Sequence, residues 1–183
     1  VALHASLQLR GYVYSVWTRH HYLTRFRRPW LVFGGETFVA VPVPRSLRDR
    51  PEIGIVEERH AGDVVHVTTF ERTLVDLLHW PRLGGGWEEV WRSLEMVPFF
   101  DLDAVVAQAL ALSSALTTAR VGFFLEQHRE SLMVEERHLQ PLRENAPRQV
   151  RYFDTRRSPG ALVPGWNLIV PDEVRGRTWA EVP

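Results

Sequence analysis

Cysteine is absent from this 183-residue chain, and so is lysine, because all 22 basic residues are arginine. The first absence removes disulfides, thiolate metal sites, thiol nucleophiles and redox dithiols together. The second removes a phosphate-loop lysine, a Schiff-base lysine and every lysine-dependent nuclease motif. No apolar run approaches the ~18 residues that a membrane span needs. No charged-then-apolar leader opens the chain, so the expectation is a cytoplasmic protein with no membrane partner. Internal repeats and low-complexity tracts are also lacking. What remains is ordinary globular material. Hydrophobic residues make up 45% and aromatics 11%, enough for a core at a length that buries roughly 70% of the unfolded chain's surface.

Net charge is zero but unevenly spread. Residues 1–50 carry eight Arg against Glu36 and Asp49, residues 51–136 carry six Arg against fifteen acids, and residues 137–183 carry eight Arg against five acids. A basic lead and an acidic middle are compatible with a surface that meets anions on one side. Scattered surface charge is the plainer account.

The patterning changes near Thr68. Before it, short β-rich runs dominate. Trp30-Leu31-Val32-Phe33 and Glu36-Thr37-Phe38-Val39 flank Gly34-Gly35, a hairpin signal. Ile53-Gly54-Ile55-Val56 and Val64-Val65-His66-Val67 bracket Ala61-Gly62-Asp63 as a second hairpin, and Tyr12 to Thr18 is a further candidate strand. After Thr68 the period is helical. Phe70, Leu74, Leu77 and Leu78 form one stripe, with Thr68 and Glu71 matching a capping box. Trp87, Val90, Trp91 and Leu94 form a second. Leu102, Val105, Val106 and Ala109 form a third, with Asp101 as N-cap. Leu116, Ala119, Phe123 and Phe124 form a fourth. A fifth helix is expected around Glu135 to Asn145, with Pro141 kinking it or delaying its start, and Trp166 to Val170 reads as a short strand. Strands first and helices after predict an α+β fold. The expectation is a single domain. A small, mainly antiparallel sheet from a strand-rich part (1–67) packs on four to five helices (68–150), and a C-terminal extension (151–183) carries a short strand.

Candidate chemistry is sparse. His20, His21, His60, His66, His79, His128 and His138 show no ligand spacing. His60 and His66 could meet across the second hairpin, and Glu57-Glu58 and Asp101-x-Asp103 are paired acids. Capping and solvated faces account for all of them, so no metal, cofactor or catalytic residue is expected. Gly84-Gly85-Gly86 before a helix is a generic phosphate geometry, but no Lys follows and Glu88 and Glu89 would repel an anion. Arg19, Arg25, Arg27 and Arg28 lie among His20, His21, Tyr22, Phe26 and Trp30. Guanidinium groups grip phosphates and aromatic faces stack on bases, which makes these arginines the candidate nucleic-acid-binding set. The competing account places Tyr22, Phe26 and Trp30 in the core beneath a solvated arginine face. Glu71, Arg72, Asp76 and Arg120 form a candidate structural ion-pair cluster. Arg72 and Asp76 are i, i+4 on one helix, and Arg120 lies on an apolar stripe, where a buried charge must be paired. Gly122 beside it would allow close helix approach.

Val67-Thr68-Thr69-Phe70-Glu71-Arg72-Thr73-Leu74-Val75-Asp76-Leu77-Leu78 resembles the signature of AbiEi-like antitoxins of type IV abortive-infection toxin–antitoxin systems. Three further blocks follow in the same order. Gly85-Gly86-Trp87-Glu88-Glu89-Val90 resembles that family's next helix. Ala119-Arg120-Val121-Gly122-Phe123-Phe124-Leu125-Glu126 looks like a later helix, and Trp166-Asn167-Leu168-Ile169-Val170-Pro171 resembles its closing strand. The resemblance implies a bacterial antitoxin and transcriptional autoregulator, not an enzyme, whose functional partner is a nucleotidyltransferase-like toxin. It also implies an N-terminal winged helix-turn-helix that binds a promoter. This chain opens at Val1 without Met, and Ala2 to Leu9 matches the start of the second domain. The DNA-reading helix is therefore expected to be missing, and contact with duplex DNA is expected only through backbone phosphates. The alternatives are a metal-dependent nucleic-acid-processing enzyme and a structural dimerisation domain of a regulator.

Overall fold

The computed structural model describes residues 1–179. Residues 180–183, the end of the expected extension, lie outside the described residues. The fold is α+β. Where the patterning suggests one domain, the chain packs as two compact units, Val1–Leu112 and a second that begins at Ser113.

In the first unit, helix α1 (His4–Leu9) leads into β1 (Arg19–Thr24), β2 (Leu31–Phe33), β3 (Glu36–Pro42), β4 (Ile55–His60) and β5 (Asp63–Thr68). Helices α2 (Phe70–His79), α3 (Trp87–Glu95) and α4 (Leu102–Ala111) follow. Both expected hairpins form. Gly34 and Gly35 close β2 onto β3, and Ala61 and Gly62 close β4 onto β5. All four turn residues have positive φ, the twist that a two-residue hairpin requires.

Three features differ from the sequence reading. The strands build separate small sheets, mostly antiparallel, and β1 runs parallel to β3 in the order β1-β3-β2. Residues 12–18 are irregular and the strand starts at Arg19. The cap of α2 is Thr69, whose hydroxyl accepts the Arg72 N–H at 3.2 Å. Thr68 instead turns inward and bonds the Thr73 hydroxyl at 2.8 Å. Asp101 caps α4 as expected, accepting the Ala104 N–H at 3.0 Å.

The core of this unit is the predicted stripes brought together. Leu74, Leu77 and Leu78 of α2, Val90, Trp91 and Leu94 of α3 and Val105 of α4 are all buried. Leu3, just before α1, and Leu7 of α1 join them; that helix was not anticipated. Burying a side chain of this size contributes about 1.5–3 kcal/mol, so these stripes dominate the unit's stability.

The second unit holds α5 (Ala115–Gln127), α6 (Glu136–Glu144), β6 (Arg151–Tyr152), β7 (Gly160–Val163), β8 (Leu168–Pro171) and α7 (Asp172–Gly176), with strand order β6-β8-β7. α6 runs through Pro141. Phe124, Leu139, Leu142, Phe153 and Trp166 form its core. Gly122 does permit a close approach, but of a side chain: a Cβ there would overlap the Trp166 indole. That indole is fixed by its Nε1–H, which donates to Glu126 at 2.7 Å.

Candidate nucleic-acid interface

β1 delivers the chain into residues 25–35, every one of which is exposed. Arg25, Arg27 and Arg28 lie in the bend before β2, and β2 then returns along the edge of β3. Side chains alternate faces along a strand, yet Leu31, Val32 and Phe33 are all exposed. Both faces of β2 therefore stand clear, and its outer edge pairs with no other strand of the sheet. The flanking aromatics stand clear with it. Phe26 is 67% exposed, Trp30 69% and Phe33 74%. The core-anchor account is corrected here: Tyr22 is half-buried, and neither Phe26 nor Trp30 is core. The reason is topological, since a ribbon on a sheet edge that no described residue buries has no core to offer.

The Arg28 guanidinium lies over the Phe26 ring, 5.9 Å from its centroid. A cavity of about 480 Å³ lies beside them, lined by Phe26, Arg27, Arg28 and Pro29 with Thr24, Ala40 and Pro42. No carboxylate lines it. Arg25, Arg27 and Arg28 make no salt bridge among the described residues. Uncompensated guanidinium groups beside exposed rings are the chemistry that grips phosphates and stacks bases. Arg19 does not join this group. It begins β1, roughly 20 Å of extended chain before Arg25, and lines a different cavity.

The candidate ion-pair cluster divides. Arg72 and Asp76 are both fully buried and pair at 3.2 Å. Burial pushes the Asp76 carboxyl up to about 6, against the pull of Arg72. Glu71 accepts the Asp101 backbone N–H at 3.1 Å. Arg120 is corrected: it sits in the second unit, and its Nε donates to the Phe153 carbonyl at 2.8 Å. Burial lowers Arg120 to about 10, and the charge of Asp154 opposes that shift. The sequence neighbours that follow α6 thus hold Arg120, where an acid of α2 was expected.

The proposed meeting of His60 and His66 does not occur. His66 stands opposite Glu57, 3.3 Å away, and His60 opposite Asp63. Among the described residues no group of three or more His, Asp or Glu is placed to hold a metal ion.

A polar cluster in the first unit was missed. His4 is buried and its Nε2 lies 3.0 Å from Glu89 Oε1. Glu89 also accepts from the Ser15 backbone N–H, the Ser15 hydroxyl and the Ser93 hydroxyl. Burial alone would raise this carboxyl, but the hydrogen bonds from His4, Ser15 and Ser93 outweigh it and hold the group below its ordinary value. The available signal was the i, i+4 spacing of Glu89 and Ser93 beside the Val90/Trp91/Leu94 stripe. His4 had none, because its partner is 85 residues away.

His21 is buried on β1, and its pKa is lowered to about 4 from 6.5 by loss of hydration, then by Arg19, His4 and His20. Between those values the unfolded chain binds a proton that the folded chain does not. Its contribution is therefore present above pH 6.5 and lost as pH falls towards 4. Asp76, raised from 3.8 to about 6, has the opposite sign: its contribution is lost as pH rises through that window. Thermal melts of His21→Gln across this range are expected to show the variant gaining stability relative to the parent as pH falls. Parallel curves would contradict the burial of a neutral imidazole.

No family model matches this chain, and no curated protein or solved structure matches it either.

Proposed function

We propose that this chain is a non-catalytic, antitoxin-type regulatory domain of a bacterial type IV system, working in the cytoplasm, that contacts nucleic acid through the ribbon of residues 25–35. The observation that carries the nucleic-acid reading is the exposure of Arg25, Phe26, Arg27, Arg28 and Trp30 together. Three cations on one bend neutralise phosphates without reading bases, so the contact sets position and affinity and not sequence. The antitoxin reading is supported by the four sequence blocks. Their role in the fold is consistent with a shared scaffold: Arg72, Thr73, Asp76, Val90, Arg120 and Trp166 are all buried. No helix among the described residues is long and apolar enough to cross a membrane.

The partner reading is tested by co-expression. A nucleotidyltransferase-like product encoded beside this chain is expected to arrest growth when induced alone, and this protein is expected to relieve the arrest. Arrest that persists at full expression of both would contradict the antitoxin assignment.

A further inference from the structure

A second cavity of the first unit, about 510 Å³, lies at the start of β1, away from the arginine bend. Its lining comes from the loop before β1 (Val16, Trp17, Thr18), from Arg19 and His21 of β1, and from Arg82 and Leu83 in the turn after α2. The lining holds two guanidinium groups and no carboxylate. Arg19 and Arg82 are both exposed and make no ion pair among the described residues. His21 is 4% exposed, and its Nδ1 has no hydrogen-bond partner.

The aromatic wall of this cavity is held from several directions. Trp17 stacks on His4, with ring centroids 3.8 Å apart and planes 9° from parallel. Its indole N–H donates to the Ser15 hydroxyl at 2.9 Å, and that hydroxyl donates to Glu89 at 2.6 Å. Its backbone N–H and carbonyl both bond the Gln8 side-chain amide at 2.9 Å. Gly85 meets its ring edge so closely that a Cβ there would lie 2.5 Å away. The His4–Glu89 cluster thus acts as the support that fixes an aromatic surface in place. A positioned ring beside unpaired guanidinium groups suits a ligand with an anionic end and a flat body.

We propose that this cavity binds a terminal phosphate monoester, with Arg19 and Arg82 gripping the phosphoryl oxygens. A phosphate monoester is close to a dianion at neutral pH, which matches two guanidinium groups. Two sources carry this chemistry, a free nucleoside 5′-monophosphate and the 5′-phosphorylated end of a nucleic-acid strand. The site is independent of the ribbon, and substitution separates the two.

Calorimetric titration of the intact chain decides it, with inorganic phosphate, a nucleoside 5′-monophosphate and the matching nucleoside as probes. The monophosphate is expected to bind and the nucleoside not. Arg82→Ala, a change at an exposed position, is expected to weaken binding about tenfold or more, as loss of a charge-assisted hydrogen bond does. Joint replacement of Arg25, Arg27 and Arg28 by Ala should leave it unchanged, so a ribbon that fails to bind nucleic acid does not bear on this result. Competition by a 5′-phosphorylated oligonucleotide, but not by its 5′-hydroxyl twin, assigns the strand end. Competition by the mononucleotide with neither oligonucleotide effective assigns the free nucleotide. Equal binding of nucleoside and monophosphate, no binding of phosphate or monophosphate at millimolar concentration, or affinity untouched by Arg82→Ala would each overturn the proposal.

Discussion

Arg72→Ala is expected to lower stability by about 3–5 kcal/mol, the cost of leaving one partner of a buried ion pair alone. The side chain is completely buried and bonds in three directions. Nε meets Asp76 Oδ2 at 3.2 Å, and Nη1 donates to the Pro51 carbonyl at 3.0 Å and to that of Ile53. These contacts fasten the segment before β4 to the middle of α2. Gly54 completes the fit: its φ is +67°, and a Cβ there would come 2.8 Å from Arg72 Cβ. Removal of the guanidinium strands a fully buried carboxylate and two carbonyls and opens a cavity. Folded domains hold about 5–15 kcal/mol in total, so a loss of this size should move the unfolding midpoint far to lower denaturant.

The pair is not a perfect one. Asp76 Oδ1 and Arg72 Nη2 both lack hydrogen-bond partners, and burial already raises the Asp76 carboxyl. Replacing both residues with apolar ones of similar volume, Arg72→Met with Asp76→Leu, should therefore recover much of the loss, because no charge is left uncompensated. Urea unfolding of parent, single and double variants measures this. A single variant within about 1 kcal/mol of the parent would show that Arg72 does not brace the fold, because ordinary surface substitutions fall within that range.

Much of this fold was legible because its signals are local. Four helices follow from apolar stripes at helical spacing, and two hairpins follow from Gly34-Gly35 and Ala61-Gly62-Asp63. What stayed hidden is long-range. Nothing in residues 19–24 says that β1 pairs parallel to β3 with a ribbon folded back outside it. Helix α1 is six residues, too short for a period to declare itself. The Thr68 and Thr69 hydroxyls are one position apart, and the inward network with Ser6 and Thr73 decides which of them caps. Arg120 carried a correct warning, that a charge on an apolar stripe needs a partner. One group that takes it is the Phe153 backbone carbonyl, with the charge of Asp154 acting on it, which residue types do not reveal.

The candidate interface was half legible. Composition marked Arg25, Arg27 and Arg28, but it could not decide between exposed and buried rings at Phe26 and Trp30. Sheet order decides that, since β2 is an edge strand. It also separates Arg19 from the bend by the length of β1. The phosphate cavity was invisible in sequence, because its lining and support are drawn from residues 4–21 and 82–93.

The second large effect concerns the arginine bend, and it tests nucleic-acid contact directly. Each phosphate neutralised by Arg releases condensed counterions, so the logarithm of the binding constant falls linearly with the logarithm of salt concentration. On duplex DNA the slope is about 0.9 for each contact, and sequence-independent affinity is about 10⁻⁴–10⁻⁶ M at physiological salt. Changing Arg25, Arg27 and Arg28 together to Ala should flatten the slope by roughly 2.7 if each neutralises one phosphate. Phe26→Ala and Trp30→Ala should behave differently. Stacking is worth about 1–3 kcal/mol per base on a single strand, so these variants should weaken single-strand binding while leaving the slope unchanged. The deciding measurement is a salt titration of fluorescence anisotropy on a duplex, comparing parent with the triple arginine variant. The account predicts weak, sequence-indifferent binding whose slope flattens in the variant. No binding at low salt, or a slope that the triple substitution leaves intact, would contradict it.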